Sequence, residues 1–310
     1  MRNTPLPVFK IMLTSMLLIS MFAASNLSYS ANGVSPAEQV TAMNFVRAKT
    51  ALQFDKYYAR AGGINRLAHS RNVTPINSRS SKRLNRDTLY SVAIVDISKG
   101  AMLEMPEAGD RYMSVQVVNE NGYTNAVFHG GGQYQLTMEQ FETSFVWVLV
   151  RTLIQNGDEQ DISKAHSLQD QIRVSSLSAR PYTHVDYDRE SFDVTSELLV
   201  ELGKGLADNS KAAGSRDEVD PIKQLIVSAY GFGTLPEKES LLIVNEPNLP
   251  STGAYRLQIE SVPVDGFWSL AIYNEEGYFE PHPSDSYGFS HPTAKSARDG
   301  SIALRFGGDP

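Results

Sequence analysis

Apolar residues recur along this chain with two different periods, and the two kinds of stretch are segregated. From Arg111 to Val118, Met113, Val115 and Val117 fall on one face, and Tyr112, Ser114, Gln116 and Val118 on the other, which predicts a strand. Tyr123 to Phe128 predicts a second, and Asn121-Gly122 between them is a strong hairpin signal, so the two should pair antiparallel. Ser91 to Ile97 is rich in Val and Ile, is closed by Ser98-Lys99-Gly100, and reads as a strand. Phe145 to Ile154 is apolar on both faces, as a strand buried on both sides requires.

Helical spacing appears elsewhere. Ser35-Pro36-Ala37-Glu38 is a capping box with proline at the first helical position. It predicts a helix running to about Ala59 and ended by Gly62-Gly63. Residues 65–82 are polar and read as loop. Asp158 to Ile172 carries Ile162, Ala165, Leu168 and Ile172 at helical spacing; Phe192 to Leu206 is another helix, and Asp220-Pro221 starts one that ends at Gly231. Strands return at Leu241–Val244, Tyr255–Ile259, Phe267–Tyr273 and Ile302–Phe306. The turn Asn274 to Gly277 should fold the Phe267 strand back through Tyr278-Phe279. Strands, then helices, then strands give a β-rich α+β chain with two β layers.

The first residues do not belong to that pattern. Arg2 and Lys10 precede an apolar run from Ile11 to Ala24, and Ser28-Tyr29-Ser30 is a small-x-small sequence. This is the form of a cleaved signal peptide over residues 1–30, with the protein periplasmic or secreted. The run is short for a bilayer span. About 280 residues then remain, enough for one large domain or two smaller ones. The net charge is −7 and becomes more negative without Arg2 and Lys10. An acidic chain with no basic run argues against a nucleic-acid partner, and no basic amphipathic helix argues for a membrane surface. There is no Cys, so disulfide stapling and thiol catalysis are excluded. The core must hold the fold, and 41% hydrophobic content suits that.

Candidate chemistry begins at Asn85-Arg86-Asp87-Thr88-Leu89-Tyr90, where an amide, a guanidinium, a carboxylate and a phenol crowd a strand's mouth. Such groups cost free energy when buried without partners, so the cluster is either a structural knot or one wall of a polar site. Arg151 shares a strand face with Phe145, Trp147, Leu149 and Leu153, and the opposite face is also apolar. Its guanidinium should lie inside and needs an anion: Asp87, or a bound carboxylate or phosphate. With Asp87 as the partner, Arg151→Met strands a buried carboxylate, a loss on the order of 3–5 kcal/mol. Asp265-Gly266 is a turn that leads Phe267 and Trp268 into a strand on opposite faces, and either ring belongs to the core or lines a pocket.

Other signals are weaker. His129-Gly130-Gly131-Gly132 resembles an oxyanion loop, but the accompanying nucleophile elbow is missing; Gly288-Phe289-Ser290-His291-Pro292 is the nearest approach. A glycine-rich hairpin turn explains the stretch better. The six His are scattered without metal-ligand spacing, His282, His291 and Asp285 forming one loose cluster, so no metal is expected. Without a Gly-rich nucleotide fingerprint, no cofactor is expected either.

NRDTLYS at 85–91, GDRYMSVQVVN at 109–119, RTL at 151–153, DEVDPI at 217–222, PVDGFWSLAIYNEEGYFEP at 263–281 and FGGDP at 306–310 together resemble a bacterial exported family. It joins domain of unknown function 1254 to domain of unknown function 1214. Arg86 and Asp87 fall on the first domain's motif; Asp265, Gly266, Phe267 and Trp268 fall on the second's. The HGGG stretch departs from the family's usual turn. The resemblance implies two β-sandwich-like (jelly-roll-like) parts joined by a helical segment: 31–157, a connector over 158–235, and 236–310. It also implies further strands beyond Pro310, which would leave an unpaired C-terminal edge able to self-associate. The leading functional expectation is a small-molecule or glycan-like ligand in a cleft between the two parts. Asn85, Arg86, Asp87, Tyr90, Arg151, Asp265 and Trp268 are the candidate residues. A metal-independent hydrolase or lyase using Asp, Arg and Tyr is the second expectation, and a structural or protein-interaction module the third.

Overall fold

The computed structural model describes residues 36–79, 82–206, 208–245, 249–250, 253–260, 262–282, 287–290 and 297–307. The expected signal peptide at 1–30 lies outside the described residues. The chain divides into Met1–Glu38 and Gln39–Pro310, and the second unit is described here. It opens with α1 (Phe45–Ala61), β1 (Ala68–His69), β2 (Thr88–Asp96), β3 (Ala101–Met105), β4 (Met113–Asn119), β5 (Thr124–His129) and β6 (Gly132–Leu136). Then come α2 (Met138–Phe141), β7 (Phe145–Leu153), α3 (Glu159–Gln169), β8 (Arg173–Ser176), α4 (Arg189–Gly203) and α5 (Pro221–Tyr230). β9 (Tyr255–Ile259), β10 (Ser269–Ala271), β11 (Gly288–Ser290) and β12 (Ile302–Phe306) complete it. The class is mixed α+β with more strand than helix. No described helix is long and apolar enough to cross a membrane.

β7 is the spine. It lies in the middle of a five-stranded antiparallel sheet of order β1-β2-β7-β4-β5. Its apolar residues serve both faces, as the sequence suggested. Val146, Val148 and Val150 join Leu103, Met105 and Leu136 of a second, three-stranded sheet, β6-β3-β8, in one buried cluster. Phe145, Trp147 and Leu149 face the other way and pack with Phe54 of α1, Tyr182 and Phe232. Burying each such side chain is worth about 1.5–3 kcal/mol, so a polar change on either face of β7 is costly.

The helix ends follow local chemistry. Asp158, Asp188 and Asp220 each accept backbone N–H bonds at the starts of α3, α4 and α5, and Pro221 fills the first turn of α5. α1 stops where Gly62 turns left-handed (φ 71°), as the glycine pair indicated. Its start is a correction: the helix begins at Phe45 after Asn44 and not at the Ser35 capping box. Asn44 Oδ1 accepts from Thr41 N–H at 2.8 Å, closing a turn ahead of the helix instead. The Asn121-Gly122 hairpin joins β4 to β5 as expected, with a register shift at Val117/Val118.

Four further differences have physical causes. β3, β6 and β8 escape a hydrophobicity reading because Glu104, Gln133, Gln135 and Arg173 interrupt them, yet they build the second sheet. The HGGG stretch is not a hairpin turn, because β5 and β6 lie in different sheets; Gly130 and Gly131 turn the corner, and His129 meets Glu239 at 2.7 Å. Leu241 to Val244 pairs with nothing and is exposed throughout. The Asn274 turn forms, with Asn274 N–H donating to Tyr278 O at 2.8 Å, but β10 pairs with β11 and not with Tyr278-Phe279. Among the described residues the C-terminal part holds two two-stranded ladders, β9 with β12 and β10 with β11, and no jelly roll is seen there.

Two buried carboxylates pin the sheet. Burial raises the Asp96 carboxyl, but donors from Arg180, Ser178 and Ser98 outweigh it and hold it well below the usual carboxylate range. Arg111 holds Asp161 down in the same way, with Gln155 N–H adding to it. A depressed native pKa gives stability that is complete above the unfolded value near 4 and is lost as pH falls through the native one. The unfolding midpoint should therefore hold from about pH 7 to 5 and fall below about pH 4. Asp96→Asn should cost about 2 kcal/mol at neutral pH and flatten that fall. Thermal unfolding across pH checks this, and an Asp96→Asn profile parallel to the parent's would contradict it.

Candidate functional site around Arg151

Arg151 sits near the end of β7, between Tyr90 of β2 and Ser114 of β4 in the sheet register. Its Nη2 donates to Gln116 Oε1 at 2.9 Å and to Gly233 O at 2.9 Å. Nη1 is shielded from solvent and has no partner in hydrogen-bond geometry among the described residues, while the Tyr90 hydroxyl interacts with the guanidinium and the residue as a whole is half-buried. Burial pushes the guanidinium pKa down, and the phenols of Tyr90, Tyr112 and Tyr57 push it back. Among the described residues no carboxylate pairs with Arg151.

This corrects the expected Arg151–Asp87 pair. Asp87 lies three positions before Tyr90, which is the residue directly across from Arg151. Burial raises the Asp87 carboxyl, against the Ser269 hydroxyl that bonds it and the Arg86 charge. The partner of Asp87 thus comes from β10, far along the chain, and the guanidinium is left with neutral oxygens.

The bracing of Arg151 depends on two residues the sequence reading did not single out. Gln116 is fully buried and donates its amide to Thr124 Oγ1 and Thr234 O, each at 2.9 Å, which aims its oxygen at Arg151. Gly233 has φ 83°, and a Cβ there would come within 2.9 Å of the Trp147 ring. Only glycine brings that carbonyl to the guanidinium. A cavity of ≈ 40 Å³ lies behind this brace, lined in part by Gln116, Gly233, Thr50 and Gln224. It has room for little more than water. One signal for Gln116 was present: Ser114 and Gln116 share a face in a strand whose every residue is buried.

The other candidates divide. Asn85 Oδ1 accepts from Asp87 N–H at 2.6 Å and shapes the turn into β2. Arg86 donates to Thr74 O and lies over the Phe279 and Tyr287 rings at 5.8 and 5.5 Å. Tyr90 adjoins both Arg151 and Tyr273. Tyr273 donates to Leu84 O at 3.1 Å and is pushed up to about 12 by burial and by Asp87. Asp265 is exposed and Trp268 half-buried. Between them, Gly266 packs on the Tyr112 ring, and Phe267 meets that ring edge-on at 5.1 Å. Among the described residues no group of three His, Asp or Glu could hold a metal.

Residues 64–137 match the family described as Protein of unknown function (DUF1254), and residues 245–310 the one described as Protein of unknown function (DUF1214). The chain joins the two, in that order. The DUF1254 segment supplies Asp87, Tyr90, Tyr112 and Gln116, and the DUF1214 segment supplies Gly266, Phe267, Ser269 and Tyr273. Arg151 and Gly233 come from between the segments. A crystal structure of the VPA0106 protein from Vibrio parahaemolyticus is similar, with TM-score 0.62 and 16% identity over 86% of this chain and 88% of that one. It shows the fold alone. A crystal structure of an uncharacterised protein from Burkholderia cenocepacia aligns with TM-score 0.47 and 13% identity, over 85% of this chain and 76% of that one. Comparison with curated proteins gives no match.

The brace makes an unequal prediction for two left-handed glycines. Gly130→Ala meets nothing within 4 Å and should cost about 1 kcal/mol, the conformational penalty alone. Gly233→Ala adds the Trp147 clash and should cost about 2–3 kcal/mol. Denaturant unfolding of both variants checks this, and equal losses would contradict it.

Proposed function

We propose that this protein is exported and binds a small acid-bearing molecule at Arg151, at the seam where the DUF1254 and DUF1214 segments meet. One observation carries the binding: a guanidinium buried at the sheet end faces only neutral acceptors and keeps one nitrogen unpartnered. A buried charge left without a counter-ion costs several kcal/mol, and a carboxylate or phosphate supplies the missing partner in the bidentate geometry that arginine favours. The phenols of Tyr57, Tyr90 and Tyr112 add hydroxyl groups and flat apolar faces around the same point. Export rests on the charged start, apolar run and small-x-small end of residues 1–30.

Catalysis by Asp87, Arg151 and Tyr90, as a metal-independent hydrolase or lyase, is the second reading. The raised carboxyl of Asp87 favours it, since acid–base groups are tuned in that direction. Against it, Asp87 and Arg151 do not converge on one another.

Thermal unfolding with acetate and with inorganic phosphate, at fixed ionic strength, tests the binding. A ligand at a hundred times its dissociation constant adds about 2.7 kcal/mol of stability. Wild type should be stabilised as one of these anions is raised, and Arg151→Gln should not respond. An identical response in both proteins, or none in wild type, would overturn the proposal.

A further inference from the structure

The register of the central sheet sets Tyr90, Arg151, Ser114 and His129 in one row across β2, β7, β4 and β5. Residues directly opposite one another project from the same face, with Cβ atoms about 5 Å apart. Three members of that row have partners. Tyr90 interacts with the guanidinium, Arg151 is braced through Nη2, and His129 meets Glu239 at 2.7 Å. Ser114 is fully buried, and its Oγ has no hydrogen-bond partner among the described residues.

Arg151 and Ser114 are thus neighbours on one face, and each keeps a solvent-shielded polar atom out of any hydrogen bond: Nη1 and Oγ. The guanidinium lies on the β4 side, because Nη2 donates to Gln116, the next residue on the Ser114 face of that strand. Yet no hydrogen bond joins Nη1 to Oγ. A buried polar atom without a partner costs free energy, and a group that accepts from both atoms relieves both at once. A carboxylate has two oxygens and accepts from two donors. Both atoms are closed to solvent, and the cavity beside the brace holds ≈ 40 Å³. An acid that reaches them has to be small.

We propose that Ser114 is the second donor of the Arg151 site, and that the acid held there is a carboxylate of one or two carbons, with one oxygen on Nη1 and the other on the Ser114 hydroxyl. This rests on the binding reading above and narrows it from acids in general to those the size of formate and acetate. A longer chain has to open the shell around both atoms. A phosphate brings more acceptor oxygens than the two donors serve, and buried acceptors left over are costly.

Acetate, hexanoate and inorganic phosphate are the probes, titrated calorimetrically into the full chain at fixed ionic strength. Wild type should bind acetate at least about tenfold more tightly than either of the others, and Ser114→Ala should weaken acetate about tenfold, the weight of one hydrogen bond to a charged group. Arg151→Gln should abolish acetate binding. Without ligand, Ser114→Ala should melt no lower than the parent, because it removes a hydroxyl that bonds nothing. An acetate affinity unchanged in Ser114→Ala, a lower melting point of that variant without ligand, or wild type binding hexanoate or phosphate as well as acetate would overturn this inference and leave the Arg151 site standing. Binding of none of the three, or binding untouched by Arg151→Gln, would overturn the site and the inference with it. The wild-type comparison needs no variant to fold.

Discussion

An arginine with no carboxylate paired to it among the described residues, half-buried at the end of the central strand, is the constraint to which its neighbourhood conforms. Both faces of β7 are committed to apolar clusters, so Arg151 can be reached only at the strand's end. Its charge is tolerated because two oxygens are held against it. Each is held at long range: Gln116 through Thr124 and Thr234, and Gly233 through a left-handed turn pressed on Trp147. Residues scattered over more than a hundred positions are thereby tied to one guanidinium. Their arrangement lowers the cost of the charge without cancelling it.

The same end of the sheet is where the two family segments touch. Ser269 bonds Asp87, Tyr273 bonds Leu84 O, and Arg83 N–H donates to Gly277 O at 2.8 Å. Arg86 lies over Phe279 and Tyr287, Arg79 over Tyr278 at 4.7 Å, and Phe267 against Tyr112. The polar mouth of β2 is therefore a knot between the two segments. It fastens the C-terminal segment by backbone and ring contacts, and it leads into Tyr90, which lies across the ladder from Arg151. Neither segment alone contains the whole constellation.

Much of this was legible in the sequence where local signals are strong. β7, β4, the Asn121-Gly122 hairpin and the aspartate-capped helices follow from periodicity and capping chemistry. The two apolar faces placed Arg151 inside, whereas the residue is half-buried. The partner of Arg151 was not legible, because register decides it: Asp87 lies three positions before Tyr90, and the sequence alone does not say which residue lies opposite. Gly233 carried no signal, since its role is a carbonyl and its reason a ring 86 positions earlier. The three-stranded sheet was missed because its strands are half polar, and exposure on one face hides them from a hydrophobic reading. Leu241 to Val244 misled in the opposite sense, being apolar but exposed.

The central claim is that the Arg151 charge has no carboxylate partner among the described residues, and the stability of Arg151→Met without ligand tests it most directly. Removing the side chain deprives Gln116 and Gly233 of a donor, a cost offset by relief of the buried charge. The account predicts a net loss below about 2 kcal/mol by denaturant unfolding. A loss of about 3–5 kcal/mol, the size expected when a buried carboxylate is stranded, would contradict it.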